Sequence, residues 1–321
     1  MSFSGSALSY IGYLDSLDSI GSDAYTITIP RNESLSSWYL VDLLCLPIYY
    51  KNVKCIIDNE KIEKIIGANK DISRHFLVND HPFLTIMDDR FTKDEIDVWS
   101  QGMSALFIVC LRNSILNFFV DCKMPIYPMP YKSGFRLPLA AFESYSDPVE
   151  RDISVFFSGR HSVRPSRRTF GKTIAATIPD SVIHFLSQGI EPFTGNQYIS
   201  YLKRSKIAWC PRSIWAPPDR DCNSVSGKEV EAMRCGAMIL KQPIGTQEVA
   251  ERTCGIHFVE YKNDSSDLIE KIEYYLEHDE ERESIALNGK QLWEKHYSLL
   301  ARANFYIQSC LKAIGEMDVH V

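Results

Sequence analysis

Apolar runs and polar breaks alternate most plainly in the second half of the chain. Ile153-Ser154-Val155-Phe156-Phe157 reads as a buried strand that ends at Ser158-Gly159, with a helix starting near Pro165. Ile207-Ala208-Trp209-Cys210 predicts a strand stopped by Pro211. Ala237-Met238-Ile239-Leu240 and Ile256-His257-Phe258-Val259 predict two more. Ser226 to Cys235 has helical character and is stopped by Gly236. Three helices follow. Their apolar stripes run through Leu268, Ile272 and Tyr275, then Ile285, Gly289, Leu292 and Trp293, then Leu300, Ala303, Ile307 and Leu311. Such stripes are what a helix buries against a core.

The first half is less regular. Tyr25 to Ile29 reads as a strand ended by Pro30, and Lys54 to Ile57 as a second. Asn59 to Ile66 has helical spacing. Phe76-Leu77-Val78 and Phe83 to Met87 read as strands on either side of Asp80-His81-Pro82, and Ala105 to Leu111 as another. Strands interleaved with helices predict an α/β sheet. Met124 to Tyr131 carries three prolines in eight residues, which predicts an interdomain linker and a boundary near residue 150.

The chain has 321 residues, 45% of them hydrophobic and 24% charged, which is ordinary for a globular protein and long enough for two domains. A net charge of −6 argues against a nucleic-acid coat protein. Nine scattered cysteines without a CxxC pair predict reduced thiols and no zinc site. The first residues, Met1-Ser2-Phe3-Ser4-Gly5, lack the basic and apolar regions of a signal peptide, so a cytoplasmic location is expected. The most apolar stretch, Ala105 to Val120, is interrupted by Arg112 and Asn113 and is too short to span a bilayer.

The candidate chemistry begins at Ser226-Gly227-Lys228-Glu229, an S-x-x-E capping box that opens a helix. Helix starts attract phosphate, and Gly227 permits close approach of a ligand to the backbone. On the same ground Glu229 is expected to be structural. Lys228 and Glu231 share a helix face, either as a surface ion pair or as separate grips on a phosphate and a ribose diol. Arg160, Arg164, Arg167, Arg168 and Lys172, with His161 among them, place five cations within thirteen residues after a strand end. Cations at a helix start are unfavourable unless an anion binds there; the alternative is a solvated basic face. Arg212 follows another strand. Because ligands of open α/β sheets bind beyond the carboxyl ends of strands, these groups are expected to converge.

From Lys228 onward the chain resembles a known family. Lys-Glu-Val-Glu-Ala-Met-Arg-Cys-Gly-Ala-Met-Ile-Leu (228–240) is similar to the "EAMACG-PV" element of group 1 glycosyltransferases. It is closer to the CgeB-like (spore-protein type) branch, and residues 205–212 have some exostosin-like character. The resemblance covers about residues 150–310. It implies a GT-B architecture: two facing Rossmann-like domains with parallel sheets and a C-terminal helical tail. The implied domains are 1–150 for the acceptor, 151–298 for the donor, and a final helix, 299–321, crossing back to the first. By the same resemblance Glu231 matches the ribose-binding glutamate, Lys228 the basic residue at the diphosphate, and Gly159 and Arg160 the loop after the first strand of the donor domain. No cofactor and no obligatory metal are implied, the nucleotide sugar being a substrate.

Many retaining members carry a glutamate eight positions before the ribose glutamate; here it is Asn223. An inverting enzyme needs a base from the first half, for which Asp80, His81 and Asp88 are the candidates. A structural histidine at 81 and a turn at Asp88-Asp89 are the plainer readings. The expected function is hexosyl transfer from a nucleoside-diphosphate sugar to a glycan, lipid-linked or protein acceptor, with peripheral membrane contact compatible and no nucleic-acid partner. Two other readings remain open: a non-catalytic GT-B scaffold, and a dinucleotide-dependent oxidoreductase, which the lack of a G-x-G-x-x-G run disfavours.

Overall fold

A computed structural model describes residues 25–30, 51–67, 72–87, 101–109, 124–129, 149–160, 165–186, 191–211, 226–243 and 252–315, and positions 43, 47, 94, 97 and 98. The described residues fall into two units. One lies between Ala7 and Pro130 and resumes from Ser298; the other lies between Tyr131 and Tyr297.

The earlier unit is built on β1 (Tyr25–Ile29), β2 (Val53–Ile57), β3 (His75–Val78), β4 (His81–Met87), β5 (Ala105–Val109) and β6 (Ile126–Met129). Their order is β2-β1-β3-β4-β5-β6. Helix α1 (Asn59–Ile66) starts at Asp58, whose carboxylate accepts from the Lys61 amide at 2.9 Å. Five strands run in one direction, and β3 opposes both of its neighbours. The sheet is therefore mixed rather than wholly parallel. The cause lies in two residues: Asn79 and Asp80 have φ of 46° and 67°, and Val78 pairs with His81 across them. Two successive positive φ angles make the two-residue type I′ turn, which asparagine and aspartate tolerate. Asn79 closes it by accepting from the Thr26 amide at 3.0 Å.

The proline-rich segment is also more ordered than a linker. Pro128 sits within β6, opposite Ile108, at the sheet edge. An edge strand tolerates proline because one side of it needs no ladder donor. Alternate residues divide the sheet into two faces. Phe76, Phe83, Phe107 and Tyr127 form an aromatic row on one. Leu77 packs with Ile62 and Ile66 of α1 on the other, and Leu84, Ile86, Leu106 and Ile108 form a second apolar cluster.

The later unit holds β7 (Ile153–Arg160), α2 (Pro165–Thr177), β8 (Val182–Leu186), α3 (Gly195–Arg204), β9 (Ser205–Cys210), α4 (Gly227–Arg234), β10 (Met238–Lys241) and β11 (Val259–Glu260). Helices α5 (Leu268–Glu277), α6 (Asp279–His296) and α7 (Leu299–Ala313) follow. β8 and α3 were not anticipated, and the strand expected at 256–259 is mostly a turn that precedes a two-residue β11. The sheet is parallel throughout, in the order β11-β10-β9-β7-β8. The chain goes from β7 outward to β8, then returns to β9 on the other side of β7. The carboxyl ends of β7 and β9 thus flank the point where strand order reverses, the usual ligand crevice of such sheets.

One face of this sheet buries Val155, Phe157, Ile207, Trp209, Met238 and Leu240 with Ile174 of α2, Leu268 and Ile272 of α5, and Ile285 of α6. Trp209 donates its indole N–H to the Tyr261 hydroxyl at 3.0 Å, which removes the cost of burying both polar groups. On the other face Phe156 packs against Tyr198 and Tyr201 of α3. Gly236, with φ 66°, ends α4 in the left-handed conformation that terminates helices. Helix α7 belongs with the earlier unit. Its Phe305 and Tyr306 rings contact Phe107, and Tyr306 also meets Phe76 edge-on.

Candidate functional site

The site is built where α4 begins. Ser226 caps the helix through the reciprocal pair expected of S-x-x-E: its hydroxyl accepts from the Glu229 amide at 3.4 Å, and its own amide donates to Glu229 Oε1 at 3.1 Å. The other Glu229 oxygen is held by Arg252 at 2.9 Å and lies 3.6 Å from the Lys241 ammonium. All three side chains are buried. Burial works to raise the Glu229 pKa, but Lys241 and Arg252 outweigh it and the carboxyl is held below its ordinary value. Glu229 is therefore a structural anchor that fixes the helix start.

That anchor aims Lys228 toward β7. Its ammonium donates to the Ser158 carbonyl and lies 4.3 Å from the centre of the Phe157 ring. The Arg167 guanidinium lies 5.8 Å from the same ring. Burial first, and Arg167 second, lower the Lys228 pKa to about 8. Gly159 makes room for this arrangement, since a Cβ there would overlap the ammonium and come within 3.0 Å of the Phe157 ring. Two cations thus approach one ring at this strand end, where burial and the Arg167 charge both work against the charge of Lys228.

Glu231, one helical turn on, receives a hydrogen bond from the Tyr198 hydroxyl at 2.8 Å. Tyr198 belongs to α3, whose start is fixed by a Thr194–Gln197 capping box. Cys210 ends β9, and the charges of Glu229, Lys228 and Glu231 act on it. Burial pushes the Cys210 thiol far up, which keeps it neutral.

Of the residues singled out by sequence, Gly159, Ser226, Gly227, Lys228 and Glu231 lie together in the later unit. The Arg160 backbone ends β7 beside them. The Arg160 side chain, and Arg164, Arg212, Asn223 and Asp88 entirely, lie outside the described residues. Arg168 and Lys172 are exposed on α2, whereas Arg167 is 6% exposed. Tyr198 was missed. A T-x-x-Q pattern at Thr194 marks its helix, but nothing local marks its partner.

Asp80 and His81, the candidates for a catalytic base, lie in the earlier unit. Asp80 is half of the type I′ turn and pairs with Lys61, and His81 is the exposed first residue of β4. The turn lies at the amino-terminal edge of the five codirectional strands. Ligand sites of open α/β sheets gather at the opposite, carboxyl edge.

A family model described as "Glycosyl transferase-like" matches residues 167–308. No curated protein matches the chain by sequence. A glycosyltransferase from Rickettsia africae ESF-5 superposes with a TM-score of 0.53 at 10% identity, covering 92% of this chain and 100% of that one. An α1,3-fucosyltransferase solved with GDP gives 0.50 at 13% identity, covering 98% of each. Sucrose-phosphate synthase from Thermosynechococcus elongatus gives 0.47 at 14% identity; the match takes in 71% of this chain and spans 63% of that one. Among the described residues no helix is long and apolar enough to cross a membrane. The fold is GT-B, α/β with a helical C-terminal tail, and the later half contains a glycosyl transferase-like domain.

Proposed function

We propose that the chain transfers a hexosyl group from a nucleoside-diphosphate sugar to a glycan, lipid-linked or protein acceptor. The donor diphosphate lies at the α4 start that Ser226 caps, against the Gly227 backbone and the Lys228 ammonium, with Arg160, Arg164 and Arg212 as further cations. Glu231 accepts from the ribose hydroxyls. One observation carries the reading: Lys228, held on the Ser158 carbonyl at the sheet's reversal point, brings a second cation onto the Phe157 ring that Arg167 also approaches.

The chemistry follows from charge. As the sugar leaves, negative charge grows on the diphosphate. Fixed N–H groups and an ammonium in a partly buried site stabilise that charge without reorganising. On this reading the protein's own cations serve where other transferases use a metal ion. The fucosyltransferase of the same fold was solved with GDP, which supports testing nucleoside diphosphates first.

The test is a thermal-shift and calorimetric panel of UDP, GDP, ADP, CMP and TDP against wild type and Glu231→Gln. A binding nucleotide raises the unfolding temperature. Loss of a charged acceptor is expected to weaken it by about tenfold or more. Indifference to every nucleotide, or affinity unchanged in Glu231→Gln, would refute the donor site. Release of the nucleoside diphosphate from nucleotide sugars then separates an enzyme from a scaffold.

A further inference from the structure

We propose that Tyr198 is a positioning residue for nucleotide recognition: through its bond to Glu231 it sets the carboxylate that selects ribose over a sugar lacking both hydroxyls. This rests on the donor-site reading above and adds to it a residue outside the matching motif.

Three observations support it. First, the Tyr198 hydroxyl donates to Glu231 Oε2 at 2.8 Å from a different helix, α3, which lies before β9 while Glu231 lies after it. Second, the donor is itself held. The Tyr198 ring meets Phe156 of β7 edge-on, 5.5 Å between centres, and Phe156 stacks on Tyr201 of the same helix at 5.8 Å. Third, burial, followed by the Glu231 charge, raises the phenol pKa well above its ordinary value, so the group remains a donor at all working pH values.

A glutamate on a helix surface ordinarily samples several rotamers. A carboxylate has about four acceptor positions, so the Tyr198 bond to Oε2 restrains the group without by itself exhausting it. Restraining it before the ligand arrives reduces the ordering penalty of binding. The effect is confined to ligand groups that the carboxylate touches. It is therefore visible as selectivity for ribose hydroxyls rather than as general affinity.

The experiment uses the full chain and whichever of UDP, GDP or ADP binds most tightly, with its 2′,3′-dideoxy counterpart. The readout is the ratio of the two affinities in wild type, Tyr198→Phe, Glu231→Gln and Tyr201→Phe. Tyr198→Phe is expected to reduce the ratio about tenfold, the scale of one hydrogen bond to a charged group. Glu231→Gln should reduce it at least as much, and Tyr201→Phe should leave it unchanged. If Tyr198→Phe weakens both ligands equally, or leaves the ratio intact while Glu231→Gln collapses it, the positioning role is wrong and the donor site stands. If Glu231→Gln also leaves the ratio intact, the donor-site reading itself fails. Should Tyr198→Phe not fold, 3-fluorotyrosine at 198 alters donor strength while keeping ring and hydroxyl. An unchanged ratio there overturns the proposal, and a changed one supports it.

Discussion

The Lys228 ammonium donates to the main-chain carbonyl of Ser158, seventy residues earlier in the chain. This bond joins the start of one helix to the carboxyl end of β7. It also leaves a cation in a place that destabilises it: burial and Arg167 lower its pKa to about 8.

A pH dependence follows. An anion binds the protonated lysine better, so nucleoside-diphosphate affinity should be flat below pH 8 and fall about tenfold per unit above it. Calorimetry from pH 6.5 to 9.5 checks this, with Lys228→Met expected to be weak and flat throughout. Stability has the opposite sign. Between about pH 8 and the unfolded value near 10.4, the unfolded chain binds the extra proton, so this group's contribution to stability rises with pH. A fall in ligand-free stability assignable to Lys228 over that window would contradict the assignment.

Gly159→Ala tests the clearance. The added methyl would overlap the Lys228 ammonium, the movable end of a long side chain, so the overlap resolves by displacing the lysine. The ring atom 3.0 Å away gives less readily. The expected result is a modest loss of stability, about 1–3 kcal/mol, with a larger loss of nucleotide affinity. Denaturant unfolding and calorimetry on one preparation separate the two. Unchanged affinity would mean that the lysine position does not matter to the ligand.

Glu229→Gln addresses the anchor. The substitution leaves Arg252 and Lys241 buried beside a neutral amide. Removing one partner of a buried ion cluster costs about 3–5 kcal/mol, read as a lower urea midpoint at pH 7. The folded pKa of Glu229 is depressed, so its contribution is complete above the unfolded value near 4.3 and disappears as pH falls through the folded one. Wild type and variant should therefore converge in stability only in strong acid. Equal midpoints at pH 7 would show that the cluster adds nothing.

Much of the later unit was legible because its signals are local. β7 opens on four apolar residues in five, broken only by Ser154, and the α4 start advertises itself within four residues. Asn59 to Ile66 and Tyr25 to Ile29 were bounded correctly for the same reason. β8 was not, since its residues are all half-buried and His184 interrupts the apolar pattern. Pro128 misled because the rule against proline in strands relaxes at a sheet edge. The turn at Asp80 could not be read, because an exposed aspartate after a strand has the same appearance whether it makes a turn or moves a proton. Within the site, Ser226, Gly227, Lys228 and Glu231 could be read from one motif. Tyr198 could not, because its partner lies thirty-three residues away and only the fold brings them together.

The placement of α7 has a consequence for biosynthesis. Its rings, Phe305 and Tyr306, complete the aromatic layer of the sheet that is translated first. Domains that emerge early from the ribosome commonly fold as soon as they appear. This one cannot finish until Leu299–Ala313 has been made, so its apolar face stays uncovered while the whole later unit is synthesised. Emergence of α7, rather than of the sheet itself, is the event that seals it.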